Sequence, residues 1–228
     1  MIETIFKIIL GIHILGGSIG LIAGTINMIR RKGDRYHKLA GDFFFFGMLT
    51  AGTAALVLSA MHTNHFLFIV GVFTIYMVGT GRRYLSLRKL GAGQKPKPVD
   101  WALAVFMMLF GTLFIGFGIY SLVKANTFGI VFMVFGYISL SMVRQDVKNY
   151  LGKTTTTNTW LTLHLQRMIG AYIASTTAFL VVNLPRGALP GYLSFIPWLL
   201  PTVIITPLIF KWTKKYRGKS TREVIENS

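Results

Sequence analysis

Seven apolar stretches, each about long enough to cross a bilayer, are separated by short segments whose positive charge alternates from one end of the stretches to the other. A hydrocarbon core of roughly 30 Å takes about 20 mostly apolar residues in a helix. Spans of that grade are read at Ile5–Ile29, Leu39–Met61, Phe66–Gly81, Trp101–Val123, Phe128–Val143, Trp160–Leu184 and Tyr192–Phe210. The pattern predicts an all-α, integral-membrane seven-helix bundle forming one domain over residues 1–218. A disordered tail is expected over 219–228.

The basic residues decide orientation. Twenty of the 24 Lys and Arg follow the odd-numbered spans, among them Arg30, Arg31, Lys32, Arg82, Arg83, Arg88, Lys89, Arg144, Lys148, Lys211, Lys214 and Lys215. The opposite ends carry Lys7, Lys124 and Arg186, and one further cation, Arg167, falls inside a span. Lys and Arg are retained on the cytoplasmic side of short loops, which predicts an amino terminus outside, a carboxyl terminus in the cytoplasm and a multi-pass protein of the cell membrane. The net charge of +17 is then a topology signal that also meets anionic lipid headgroups. It does not point to nucleic acid, since 53% of the residues are hydrophobic and only 14% charged.

Glu3 precedes Lys7 and the first apolar run continues to a basic stop, so that helix reads as retained rather than cleaved. Without cysteine the chain offers no thiolate ligand or Cys nucleophile. The longest connection, 82–100, reads as a Gly/Lys/Pro linker containing GAGQKPKP. No strand carries a phosphate-binding glycine loop, and the seventh span has no central lysine for a retinal Schiff base.

Gly16, Gly20 and Gly24 recur every four residues, stacking on one helix face where another backbone can approach closely. His13 shares that face, so a flat cofactor beside it is the sharper reading of the same ladder. Trp101, Trp160 and Trp212 fall at the basic ends of spans, as an interfacial aromatic belt requires. Pro197, Pro201 and Pro207 predict kinks in the seventh helix.

Ionisable groups at membrane depth are costly and point to function by default. Here they gather towards the basic ends: His37, Asp42, Arg144, Asp146, His164 and Arg167, with Arg82 and Asp100 at the same level. These six form the expected polar chamber, with Asp42 or Asp146 neutralising Arg167. The alternative is a set of ion pairs and snorkelling side chains that lock helix ends.

The segments KGDRYHKLAGDFFF, TGRR and HLQRMIGAYIASTTAFLVVNLP, with the later WLLP, resemble an uncharacterised family of bacterial multi-pass membrane proteins, known mainly as a domain of unknown function. His13, His37, His164, Arg167 and Met168 match that family's recurring positions. The resemblance implies a bacterial cytoplasmic-membrane protein and supplies no reaction.

Three functions stay open. One is a binder of a small molecule, lipid or quinone, or a subunit of a membrane complex or homo-oligomer, using Arg167 and His164 to hold an anionic headgroup or carboxylate. A second is a haem b protein of membrane electron transfer, with His13, His37 and His164 as candidate ligands. A third is a membrane-embedded zinc hydrolase built on His37, His164 and Asp42 or Asp146.

Overall fold

In the computed structural model the described residues are 1–90, 93–153, 158–185, 189–190 and 196–217. Among them the chain is all helical: α1 Ile2–Ile29, α2 Arg35–Met61, α3 His65–Tyr84, α4 Pro98–Val123, α5 Gly129–Tyr150, α6 Thr159–Asn183 and α7 Ile196–Tyr216. All seven are long and apolar enough to cross a membrane. The expected tail over 219–228, Arg186 and the start of the seventh span at Tyr192 lie outside the described residues.

Each helix matches an apolar stretch, but several run further. α5 continues seven residues past Val143 to Tyr150, taking Arg144 and Asp146 into the helix. α2 begins at Arg35, so His37 and Lys38 stand in its first turns. A hydropathy window stops at the first charges, whereas backbone hydrogen bonding does not depend on apolar side chains and long polar ones can reach the interface. α7 continues through Pro201 and Pro207.

The chain divides into two compact units: Met1–Gly79 with Leu165–Lys215, and Thr80–His164 with the residues from Tyr216 onward. In the first unit, the glycine ladder of α1 meets the backbone of α2. A Cβ added at Gly47 would lie 2.7 Å from the Gly16 carbonyl oxygen and 2.8 Å from the Gly20 nitrogen. Met48 fills the place beside Gly20, while Tyr172 and Phe44 fill that beside Gly24. The ladder is therefore a helix-packing device. The next pair closes in the same way, since a Cβ at Gly71 of α3 would stand 3.0 Å from the Gly52 carbonyl oxygen of α2. Ile69, Val72, Tyr76, Met77 and Val78 make α3 the buried element, whereas α1 exposes Ile8, Ile12, Leu15, Ile19 and Ile22. Such a face suits hydrocarbon.

In the second unit, α4 and α5 approach through Gly118 and Gly129, where a Cβ on Gly129 would lie 2.7 Å from the Gly118 carbonyl oxygen. Phe114, Phe117, Phe128 and Phe132 stack beside this crossing. A separate cluster of Tyr84, Leu87, Ala104, Tyr150 and Leu163 is covered by Leu90 and Trp160.

That cluster anchors part of the connection between α3 and α4, read from the sequence as a linker over 82–100. Leu87 is buried, and the Gln94 side chain accepts from the Lys89 N–H at 2.9 Å while donating to the Ser86 carbonyl at 2.7 Å. The sequence reading weighed glycine and proline content and missed the two leucines that tie the segment down.

Gly47→Ala and Gly129→Ala should each destabilise the protein by about 1–3 kcal/mol, because a methyl group there meets backbone that cannot move aside. Gly116, with nothing within 4 Å of an added Cβ, should accept alanine without loss. Thermal unfolding in mild detergent separates the two cases, and a Gly47→Ala protein as stable as wild type would refute the packing account.

Candidate functional site

Of the six residues expected to form one chamber, His37, Asp42 and Arg167 belong to the first unit and Arg144, Asp146 and His164 to the second.

In the first unit, the end of α1 is built around Lys32. The last carbonyls of a helix lack intrahelical partners. The Lys32 ammonium donates to those of Asn27, Met28 and Arg30 and lies 4.0 Å from the centroid of the Trp212 ring. Burial holds its pKa below the ordinary lysine value. Gly33, at φ +88°, turns the chain as few side chains permit. Asp34 then caps α2 by accepting from the His37 N–H at 2.6 Å. That bond is the main cause of its lowered pKa, with Arg30, 3.5 Å away, contributing. A depressed carboxylate pKa means that the cap stabilises the fold above the ordinary Asp range and is lost as pH falls through the folded value.

His37 is half-buried. The Asn27 amide, oriented to satisfy its neighbours, donates to the His37 carbonyl and Nδ1, both at 3.1 Å, and accepts from the Gly41 N–H at 3.0 Å. His37 is thereby tied into the α1–α2 corner. Asp42 is half-buried on α2. His13 has its Nδ1 2.9 Å from the Ala51 carbonyl oxygen. A carbonyl only accepts, so Nδ1 is the donor.

Arg167 is 1% exposed, with its guanidinium carbon 5.2 Å from the centroid of the equally buried Tyr76 ring. It stands eight residues into α6, about 12 Å along the helix.

In the second unit, the last turn of α3 organises the polar groups. The Gly81 carbonyl accepts from His164 Nδ1 at 2.8 Å, and the Tyr84 hydroxyl donates to Asp146 Oδ1 at 2.6 Å. His164 and Asp146 are thus brought to one end of one helix. Asp146 is fully buried, while Arg144, two residues earlier and turned towards the opposite side of α5, is exposed. Ser139, buried two turns along the face of Asp146, packs against Gly111, and its hydroxyl has no hydrogen-bond partner among the described residues.

Asp100, expected among the groups at the interface, is 0% exposed. Arg83 grips it with Nε at 2.7 Å and Nη2 at 3.0 Å, and the Lys97 N–H adds a third bond at 2.7 Å. Pro98 opens α4, so Asp100 stands in the first turn, where a carboxylate also meets the positive end of the helix dipole.

The sequence reading did not single out Tyr84, Asn27, Tyr76 or the choice of Arg83 over Arg82. A signal for Asp146 was present: Ser139, Val143, Asp146 and Tyr150 continue one face at helical spacing beyond the apolar run. Among the described residues no three His, Asp or Glu converge to hold a metal ion, so the zinc ligand set is not assembled there.

These helices place the chain among multi-pass membrane proteins. Compared with family models, curated proteins and solved structures, it matches none.

Asp100→Ala leaves Arg83 without its bidentate acceptor and should cost about 3–5 kcal/mol. Tyr84→Phe should cost about 1–3 kcal/mol by removing one donor from a buried carboxylate. Detergent unfolding curves of the two variants give this ranking, and the reverse order would show Asp146 to be the more critical acid.

Proposed function

We propose that the protein is a bacterial cytoplasmic-membrane binder, with its amino terminus outside and carboxyl terminus inside, that holds an anionic headgroup or a carboxylate-bearing small molecule without transforming it. The observation that carries this reading is the burial of Arg167 at membrane depth. A charge there costs at least about 2.5–3.5 kcal/mol on insertion scales, and an ionisable residue at that depth points to function by default. A planar guanidinium is also the cation best shaped to take a carboxylate or phosphate with two parallel bonds. The charge asymmetry of the loops and the resemblance to the bacterial membrane family support the orientation and location.

Arg167→Lys keeps the charge and loses the fork. Native mass spectrometry of protein released from detergent should find a co-purifying anionic molecule on wild type and at least about tenfold less on the variant, at equal folded yield. Identical spectra from the two proteins would sink the reading. A reporter fused after Arg217 should be active only on the cytoplasmic side, and activity outside would overturn the orientation.

A second reading draws on the histidines. His13 and His164 both donate through Nδ1 to a backbone carbonyl, the arrangement that fixes the tautomer of ligating imidazoles. It favours haem b in membrane electron transfer as the alternative. A reduced-minus-oxidised spectrum with a b-type α-band, lost on His164→Ala, would establish it, and a flat spectrum would remove it.

A further inference from the structure

The strongest feature outside the residues above is the segment between α3 and α4. Leu85, Ser86, Arg88, Lys89, Gly93 and Gln94 line an open pocket of about 570 Å³ beyond the end of α3. We propose that this pocket binds a phosphate group, with Arg88 and Lys89 as its cationic ligands. The proposal uses different residues from the Arg167 reading and survives that reading's failure.

Three observations set the pocket apart from basic residues that merely mark topology. First, the stretch that lines it is anchored. Leu87 is buried in the cluster with Tyr84, Ala104, Tyr150 and Leu163, and the Gln94 amide closes a ring by bonding to both Lys89 and Ser86. Gly93, at φ +90°, makes the turn that brings Gln94 back. Second, Arg88 is preorganised. Its Nε donates to the Leu85 carbonyl at 3.1 Å, and its guanidinium carbon lies 4.8 Å from the centroid of the Trp160 ring. An arginine bonded through Nε still carries four N–H donors on its two terminal nitrogens. Third, the segment itself supplies no free acid. The only carboxylate between residues 82 and 100 is Asp100, already engaged by Arg83 and the Lys97 N–H. Exposed Arg82, Lys95 and Lys97 add positive charge along the same segment. A dianionic phosphate, or the phosphodiester of a lipid headgroup, is the anion such a fork and ammonium fit.

The test uses the full chain in detergent, with calorimetric titration of inorganic phosphate and, separately, of short-chain phosphatidylglycerol against phosphatidylcholine. Arg88→Gln/Lys89→Gln should weaken binding of the phosphate-bearing probe by about tenfold or more. Lys214→Gln/Lys215→Gln, which removes the same charge elsewhere, should change it less than about twofold on this account. Gly93→Ala keeps every charge but strains the turn, and should also weaken binding. Saturation by inorganic phosphate would identify a soluble phosphate as the occupant, and saturation by phosphatidylglycerol alone a lipid headgroup; either supports the proposal. Equal loss in the two double variants, full binding by Gly93→Ala, or no binding of either probe by wild type would overturn it.

Discussion

Close backbone contact at glycine is the constraint on which the rest of this protein depends. Hydrocarbon gives apolar helices no reason to associate, because a lipid tail is as good a neighbour as leucine. Association must come from contact dense enough to win through dispersion alone, and α1 with α2 and α4 with α5 achieve it by removing side chains where they cross. The fit is at the level of the backbone, as the positions of Gly16, Gly47, Gly118 and Gly129 show. In the first unit Tyr76 and Met77 of α3 are sealed from solvent, and in each unit polar groups can be held at definite positions.

The polar groups follow a second logic. Several of them are tied to the end of a helix: Asp146 and His164 to the last turn of α3, Asp100 to the first turn of α4, and Lys32 to the last carbonyls of α1. Helix ends are where backbone groups lack partners and where dipoles present charge. Anchoring ionisable side chains there satisfies both parties. This arrangement also explains why Trp101, Trp160 and Trp212 do more than mark an interface. Trp101 packs edge-to-face on Tyr150, and the other two carry Arg88 and Lys32 on their rings.

The number and order of the helices were legible because twenty apolar residues in a row admit few alternatives. The glycine ladder on α1 was legible for a similar reason, its spacing matching the helical repeat. The pairing of side chains was not. Nothing local distinguishes Arg83 from Arg82, and only the three-dimensional position of Asp100 selects between them. Tyr84 was not singled out, since its role depends on Asp146, 62 residues away in the chain. The anchoring of the connection between α3 and α4 was not legible because glycine, lysine and proline dominate its composition, while the residues that hold it are Leu87 and Gln94.

The lengths of the helices carry a consequence of their own. α1 has 28 residues and α3 only 20, or about 42 Å against 30 Å at 1.5 Å per residue. A hydrocarbon layer near 30 Å matches α3 but leaves α1 with roughly 12 Å in excess. Only lean, local thickening of the bilayer or projection of an end can absorb that mismatch. The first turns of α1 carry Glu3 and Lys7, and Glu3 lies 3.9 Å from His62 just past the end of α2. Projection of its first turns would set that pair in the headgroup layer, whereas lean or thickening would tie the first helix to the thickness of the bilayer around it.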